Sequence, residues 1–216
     1  MRTEEVLTAG ARELGVLLTP AQVSLFLEYL NNLKFWNKKI NLTGTRDDED
    51  IIINHFLDSM TILPFISEGS RLLDIGSGAG FPGIPLKIVM PTLIITLLDS
   101  ASKKVFFMRE AIRKLSLTGI EAVCGRAEDV NNSVPRSHFQ FVVSRAVGKI
   151  EDLAKLSIPY LGENGNIILM RGPSGLREWE QLADKNTLRL RLSQSKSLSL
   201  PFTGHRRVVL VIAYAS

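Results

Sequence analysis

Leu72-Leu-Asp-Ile-Gly-Ser-Gly-Ala-Gly-Phe-Pro-Gly83 reads as an apolar strand running into a glycine-rich turn and then a helix. Leu97-Leu-Asp-Ser100 follows as a second apolar strand, ending in a carboxylate, Asp99, 19 residues after Gly80. This is the layout of a nucleotide-type cofactor site at the carboxyl ends of adjacent parallel strands. Gly76, Gly78 and Gly80 let the backbone approach a ligand closely. Asp99 is placed to accept hydrogen bonds from two ribose hydroxyls.

Gly78-Ala-Gly-Phe-Pro-Gly83 also fits the dinucleotide pattern G-x-G-x-x-G. Two details argue against a dinucleotide. First-turn N–H groups hold a pyrophosphate there, and Pro82 removes one of them. Asp74, just before the glycines, would repel a pyrophosphate but suits the ammonium of an amino acid. S-adenosylmethionine carries an adenosine, a sulfonium and an amino acid, and no phosphate. Asp74 and the three glycines therefore read as a methyl-donor site.

The chain has 216 residues, enough for one substantial core with a small appendage. Hydrophobic residues at 45% and charged residues at 22% are ordinary for a globular protein. No apolar run reaches the length of a membrane span, so no membrane partner is expected. Met1-Arg-Thr-Glu-Glu5 opens a polar amphipathic segment rather than a signal peptide. With a single cysteine, Cys124, this points to the reducing cytoplasm. Cys124 follows Ala122-Val123 in a strand-like run and reads as a buried structural thiol. The sequons at Asn41 and Asn131 need an export signal to be used.

Net charge is +4 and unevenly spread. Residues 1–46 carry 6 Lys/Arg against 4 Asp/Glu, residues 47–170 carry 12 against 15, and residues 171–216 carry 8 against 3. Basic flanks around a slightly acidic cofactor core suggest a polyanionic substrate.

Thr3 to Leu17 reads as a short amphipathic helix. Thr19-Pro20 is a cap with proline at the first helical position. Val23, Phe26, Leu27, Leu30 and Leu33 then recur at helical spacing. At the far end, Phe35 and Trp36 read as core, while Lys34, Lys38 and Lys39 are candidates for a phosphate-facing edge. Asp47-Asp-Glu-Asp50 opens a third helix. On it, His55 and Asp58 are three apart and could pair, with His55 a satisfied structural histidine. From Arg71 strands are expected near 71–75, 94–98, 120–124, 139–144 and 166–171. Helices are expected near 82–90, 101–116, 149–158 and 175–185. Such alternation implies a parallel sheet covered on both faces. Thr187–Leu192 and Arg207–Tyr214 have no helix between them and should pair antiparallel at one edge. The expected fold is α/β and Rossmann-like, as in class I methyltransferases. It divides into an N-terminal helical extension, 1–66, and a methyltransferase domain, 67–216, packed as one unit. Gly125-Arg-Ala-Glu-Asp129 follows the third strand, where a carboxylate or N–H can reach an adenine edge. Arg145 ends the fourth strand beside the glycine turn.

The chain resembles the RsmG/GidB family of bacterial small-subunit (16S) ribosomal RNA guanine-N7 methyltransferases. The resemblance spans nearly the whole chain. It is carried by Trp36-Asn-Lys-Lys-Ile-Asn-Leu-Thr43, His55-Phe-Leu-Asp-Ser59, Asp74 through Pro85, Leu97 through Ser100, Arg126-Ala-Glu128, Ser144-Arg-Ala146 and Arg206-Arg-Val-Val-Leu-Val211. The first of these and Phe81-Pro-Gly-Ile-Pro85 are not general methyltransferase features. The resemblance implies methyl-donor contacts at Gly76, Phe81, Ala127, Glu128 and Arg145, beside Asp74, Gly78, Gly80, Asp99 and Ser100. It implies 16S rRNA or the small ribosomal subunit as partner and S-adenosylmethionine as cofactor. The sequence holds no metal-ligand constellation, so no metal is expected, and a cytoplasmic monomer is expected. Lys34, Lys38, Lys39, Arg145, Arg171, Arg206 and Arg207 are the candidate RNA contacts. Two positions depart from the family pattern. Met170-Arg-Gly172 replaces Leu-Lys-Gly, which keeps a phosphate-binding charge but not lysine chemistry. Phe139-Gln140 replaces Phe-Asp. Guanine N7 is an unprotonated lone pair at neutral pH, so no general base is expected, and rate should come from proximity and alignment.

Two other readings fit parts of this pattern. A nicotinamide-dependent oxidoreductase is opposed by Pro82 and Asp74. A non-catalytic RNA-binding or ribosome-assembly protein is opposed by the intact Asp74, Asp99 and glycines.

Overall fold

The alternation that begins at Arg71 builds one seven-stranded sheet. A computed structural model describes residues 2–44, 47–145, 148–183 and 188–214. The strands are β1 (Arg71–Ile75), β2 (Ile94–Asp99), β3 (Ile120–Cys124), β4 (Phe139–Ser144), β5 (Leu161–Arg171), β6 (Leu190–Ser199) and β7 (Arg206–Tyr214). Their order is β3-β2-β1-β4-β5-β7-β6. The first five are parallel, and β7 runs antiparallel between β5 and β6. The chain leaves β1 toward β2 and later returns to place β4 on the other side, so the order reverses at β1. Ligands of open α/β sheets bind in the crevice at that reversal.

The helices are α1 (Thr3–Glu13), α2 (Pro20–Ile40), α3 (Asp48–Ile51), α4 (Asp58–Met60), α5 (Gly83–Val89), α6 (Ser102–Lys114), α7 (Ile150–Ser157) and α8 (Gly175–Ala183). Thr19 caps α2 as expected: its hydroxyl accepts from Gln22 N–H at 3.2 Å and its N–H donates to Gln22 Oε1 at 2.9 Å. The Gln22 amide also donates to the Ile88 and Val89 carbonyls, satisfying the end of α5. One apolar cluster joins Leu7, Phe26, Tyr29 and Phe56 to Leu72, Ile84, Leu97 and Phe107, so the N-terminal helices, α5 and α6 cover one sheet face together. The other face packs Leu73, Val142 and Ile167 beneath Leu153, Tyr160 and Trp179 of the α7–α8 side. The central strands β1 and β2 are apolar at successive positions because both faces are covered.

Several expectations need correction. The third helix is not regular: a π turn, Ile52–Leu57, separates α3 from α4. A π turn holds more residues than an α turn, so positions three apart are spaced differently around the axis. The side chains of His55 and Asp58 do not bond each other but both meet Arg145, and only the Asp58 N–H reaches the His55 carbonyl. Cys124 is exposed, because β3 is the edge strand and only Ala122 of its five residues is buried. Phe35 is also exposed, at 54%, since α2 outruns the core at its last turns. Strand β5 begins at Leu161, five residues early, and β6 runs on to Ser199. Thr187, the last residues expected in the eighth helix (184–185) and Ala146 lie outside the described residues.

Candidate active site at the carboxyl edge of the sheet

The glycine turn is built from its own backbone. Gly76, Gly78 and Gly80 have φ of 75°, 60° and 90°, a region that side chains resist. The N–H groups of Gly76 and Ser77 both donate to the Leu98 carbonyl, at 2.8 and 3.2 Å, which ties the turn to β2. Asp99 is the second tie. Its Oδ2 accepts from Gly78 N–H at 2.8 Å and its Oδ1 from Ala101 N–H at 2.9 Å, so one carboxylate fixes both the turn and the start of α6. The glycines serve different ends. A β-carbon on Gly78 would meet nothing nearer than the Gly76 carbonyl at 3.9 Å, so that side is open. One on Gly80 would lie 2.4 Å from Ile84, and one on Gly83 would lie 2.2 Å from Leu97. Gly83 therefore seats α5 on the sheet.

Asp74 lies under the turn with no exposed surface. Its Oδ2 accepts from Gly83 N–H at 3.0 Å, while its buried Oδ1 has no protein partner. Burial pushes its pKa up to about 8, against the opposing Gly83 hydrogen bond and the Arg145 charge. Tyr29, which sequence reading missed, reaches in from α2 and donates its hydroxyl to the Ala79 carbonyl. Its 3.6-residue spacing with Phe26 and Leu33 on the apolar stripe was the available signal.

Arg145 organises the far side. It donates to the Asn54 carbonyl at 2.8 Å and to His55 Nδ1 at 2.8 Å, and lies 3.4 Å from Asp58 Oδ2. Asp58 also accepts from Arg207 Nε at 2.9 Å, so one buried carboxylate serves two guanidinium groups. Burial raises the Asp58 pKa even so. With Nδ1 accepting, His55 carries its proton on Nε2, 2.8 Å from the Thr43 hydroxyl. Burial first, and then Arg145 and Arg207, lower the His55 pKa to about 3. Its ring stacks on Phe81 at 4.7 Å and 9°. Thr43 is delivered by Asn37, whose Oδ1 accepts from the Leu42 and Thr43 N–H groups at 2.6 and 2.9 Å. Asn54, His55, Asp58, Arg145, Arg171 and Arg207 line a cleft of about 460 Å³. Arg171 pairs there with Glu178.

Of the other expected donor contacts, Ser100 and Glu128 are exposed, and Glu128 lies 3.4 Å from Arg126. The Ala127 carbonyl accepts from the Tyr160 hydroxyl at 2.8 Å, and Asn132 bonds that hydroxyl in turn. The expected RNA contacts fall into two sectors. Arg145, Arg171 and Arg207 share the cleft, while Arg206 lines a shallow groove beside it with Arg207. Lys34, Lys38 and Lys39 stand apart on α2, where Lys34 pairs with Asp48 at 2.5 Å. Gln140 has a structural use: its Oε1 accepts from Arg71 N–H at 2.8 Å at the start of β1. Among the described residues no group of three His, Cys, Asp or Glu is arranged for a metal. No helix there is long and apolar enough to cross a membrane.

The residues at the turn fit an adenosyl amino acid. The Gly78 side is open, Asp99 stands at the end of β2, and Asp74 Oδ1 lacks a partner. A solved S-adenosylmethionine-dependent methyltransferase from Aquifex aeolicus shares the fold with a TM-score of 0.57 at 16% identity, over 77% of this chain and 93% of that one. Fold and turn together define a class I methyltransferase that uses S-adenosylmethionine. The family model for rRNA small subunit methyltransferase G (GidB) matches residues 22–209. The ribosomal RNA small subunit methyltransferase G of Pelotomaculum thermopropionicum is 41% identical over 96% of this chain and 89% of that protein. The one from Geotalea uraniireducens is 40% identical over 97% and 95%. The chain belongs to the rRNA small subunit methyltransferase G family.

Proposed function

We propose that the chain methylates N7 of one guanine in 16S rRNA, in a loop of the decoding region. Family membership carries the rRNA substrate, and the cleft beside the glycine turn supports the choice of N7. Bound S-adenosylmethionine supplies a methyl group on a positively charged sulfur, a good leaving group. A lone pair such as N7 attacks it without losing a proton, so the chain needs no general base. The His55 environment suits that chemistry. Both ring nitrogens are engaged and the ring stays neutral at pH 7, so it neither takes a proton nor repels the cationic methylguanine.

In this reading the chain's work is binding and alignment. Asp99 and Ser100 hold the ribose side of the donor. Gly76, Gly78 and Gly80 give it close backbone approach. Phe81 borders it, and Ala127 and Glu128 face the adenine. Asp74 serves the ammonium through Oδ1. Arg145 serves the methionine carboxylate or an RNA phosphate. The N-terminal helices form a wall of the same site, with Tyr29 bracing the turn and Thr43 fixing His55. Arg171, Arg206 and Arg207 hold phosphates on one side and Lys34, Lys38 and Lys39 on the other. The protein acts as a cytoplasmic monomer on rRNA or the small subunit.

The test is transfer of labelled methyl from S-adenosylmethionine to rRNA, and to small subunits, from cells lacking the gene. Label confined to N7 of one guanine is expected, and label elsewhere, or none, overturns the reading. S-adenosylhomocysteine should raise the melting temperature and NADH should not.

A further inference from the structure

The last turns of α2 and the first two turns of α6 leave an aromatic surface uncovered. Phe106 is 55% exposed and Phe35 54%. Between them Trp36 meets Phe106 edge-on at 5.5 Å and Phe35 at 6.1 Å. Trp36, Ile40, Ser102, Lys103 and Phe106 enclose a groove of about 390 Å³. Its wall residue Ser102 opens α6 three positions past Asp99, at the same edge of the sheet as the glycine turn.

The charged residue that lines it is a lysine, Lys103. Lys38, Lys39 and Lys103 are exposed, and Lys39 Nζ sits 4.1 Å over the Phe35 ring and 5.4 Å from that of Trp36. Glu110, the acid of α6, pairs with Arg113, and Lys34 on α2 pairs with Asp48 of α3. Among the described residues no salt bridge engages Lys38, Lys39 or Lys103. Aromatic faces interleaved with lysines are what unpaired nucleotides bind: bases stack, and the cations meet the backbone. A protein partner would need acids to match these lysines, whereas rRNA supplies a phosphate at every step.

We infer that the Trp36–Phe106 groove takes an unpaired base of the substrate RNA next to the target nucleotide, with Phe106 as its stacking face and Lys39 and Lys103 on the flanking phosphates. This rests on the rRNA reading above and adds a second contact surface outside the arginine cleft.

Fluorescence anisotropy with labelled oligoadenylate and with a fully paired RNA hairpin tests it. Phe106→Ala should weaken oligoadenylate binding about 10-fold or more, the effect of one base–aromatic stack. Phe106→Tyr should restore it, and the hairpin should be much less affected. Affinity for S-adenosylhomocysteine and the melting temperature should stay those of the parent, which sets aside a folding defect. Unchanged oligoadenylate binding by Phe106→Ala overturns the inference. So does a dimer in sedimentation that this variant abolishes, since the groove would then be an interface between copies. Methyl transfer by the parent is read separately. If the parent fails to methylate rRNA, the N7 reading falls, while loss of oligoadenylate binding by Phe106→Ala would still uphold the groove.

Discussion

A β-carbon on Gly80 would stand 3.0 Å from the hydroxyl of Tyr29. That hydroxyl is already committed to the neighbouring Ala79 carbonyl. The glycine turn is therefore pressed from behind by the N-terminal helices and open in front at Gly78. Gly80→Ala should destabilise the fold by about 1–3 kcal/mol through overpacking, with strain at positive φ adding to it. Gly78→Ala should cost only the strain, about 1–2 kcal/mol, but should weaken donor binding, because the new methyl would enter the open space proposed for the donor. Denaturant melts and calorimetry with S-adenosylhomocysteine separate the two. A Gly80 variant that melts normally, or a Gly78 variant that binds normally, contradicts this division.

Asp99 closes the turn and is proposed to hold the donor ribose, so its removal should act twice. Asp99→Ala should weaken S-adenosylmethionine binding by about 1.5–3 kcal/mol, the range for hydrogen bonds to a charged group. Asp99→Asn keeps an acceptor for one of its two backbone partners and should fall between. Unchanged affinity in calorimetry removes Asp99 from the site.

The strands and the turn were legible because their causes are local. A parallel strand buried on both faces is apolar at successive positions, and a backbone at positive φ asks for glycine. Asp99 was legible because the crossover between β1 and β2 has a near-fixed length. The arginine cleft was not. Arg145 and Asp58 are 87 residues apart, and Arg207 and Asp58 are 149 apart. Only the sheet order, which sets β4 beside β1 and brings β7 in antiparallel, joins them. The spacing of His55 and Asp58 misled for another reason. It assumed an α turn, and the chain makes a π turn there. Cys124 misled because an apolar dipeptide before it looks the same in an edge strand as in a central one.

Two buried groups should bend the pH dependence of stability in opposite directions. Asp74 holds its proton to about pH 8 in the native state, against 3.8 ordinarily. The native state therefore binds more protons between those values, and stability falls as pH rises through them. His55 is the reverse, with about 3 in the native state against 6.5 ordinarily. The unfolded chain binds the extra proton there, so stability is lost as pH falls from 6.5 toward 3. The two oppose each other from pH 3.8 to 6.5, and between 6.5 and 8 only Asp74 acts. Asp74→Asn should flatten the decline in melting temperature across that upper window. A parent and variant with parallel profiles there would show that Asp74 is ionised in the native state.

Asp58 restrains the two guanidinium groups that would meet RNA, so variants at the two ends of that pair should have opposite effects on binding. Arg207→Gln removes one phosphate partner. Its RNA affinity should fall and its salt slope should drop by about one unit or less, while the affinity for S-adenosylmethionine is kept. Asp58→Asn leaves Arg145 and Arg207 without their shared carboxylate. Breaking a buried pair from one side costs about 3–5 kcal/mol, and the low end applies because Arg145 and Arg207 remain 23% and 25% exposed. The same variant adds a net positive charge to the cleft, so its RNA affinity and salt slope should rise even as its melting temperature falls. Filter binding over a salt series, read beside thermal melts, gives both quantities. If Asp58→Asn weakens RNA binding as Arg207→Gln does, the carboxylate orients the arginines for phosphate instead of restraining them.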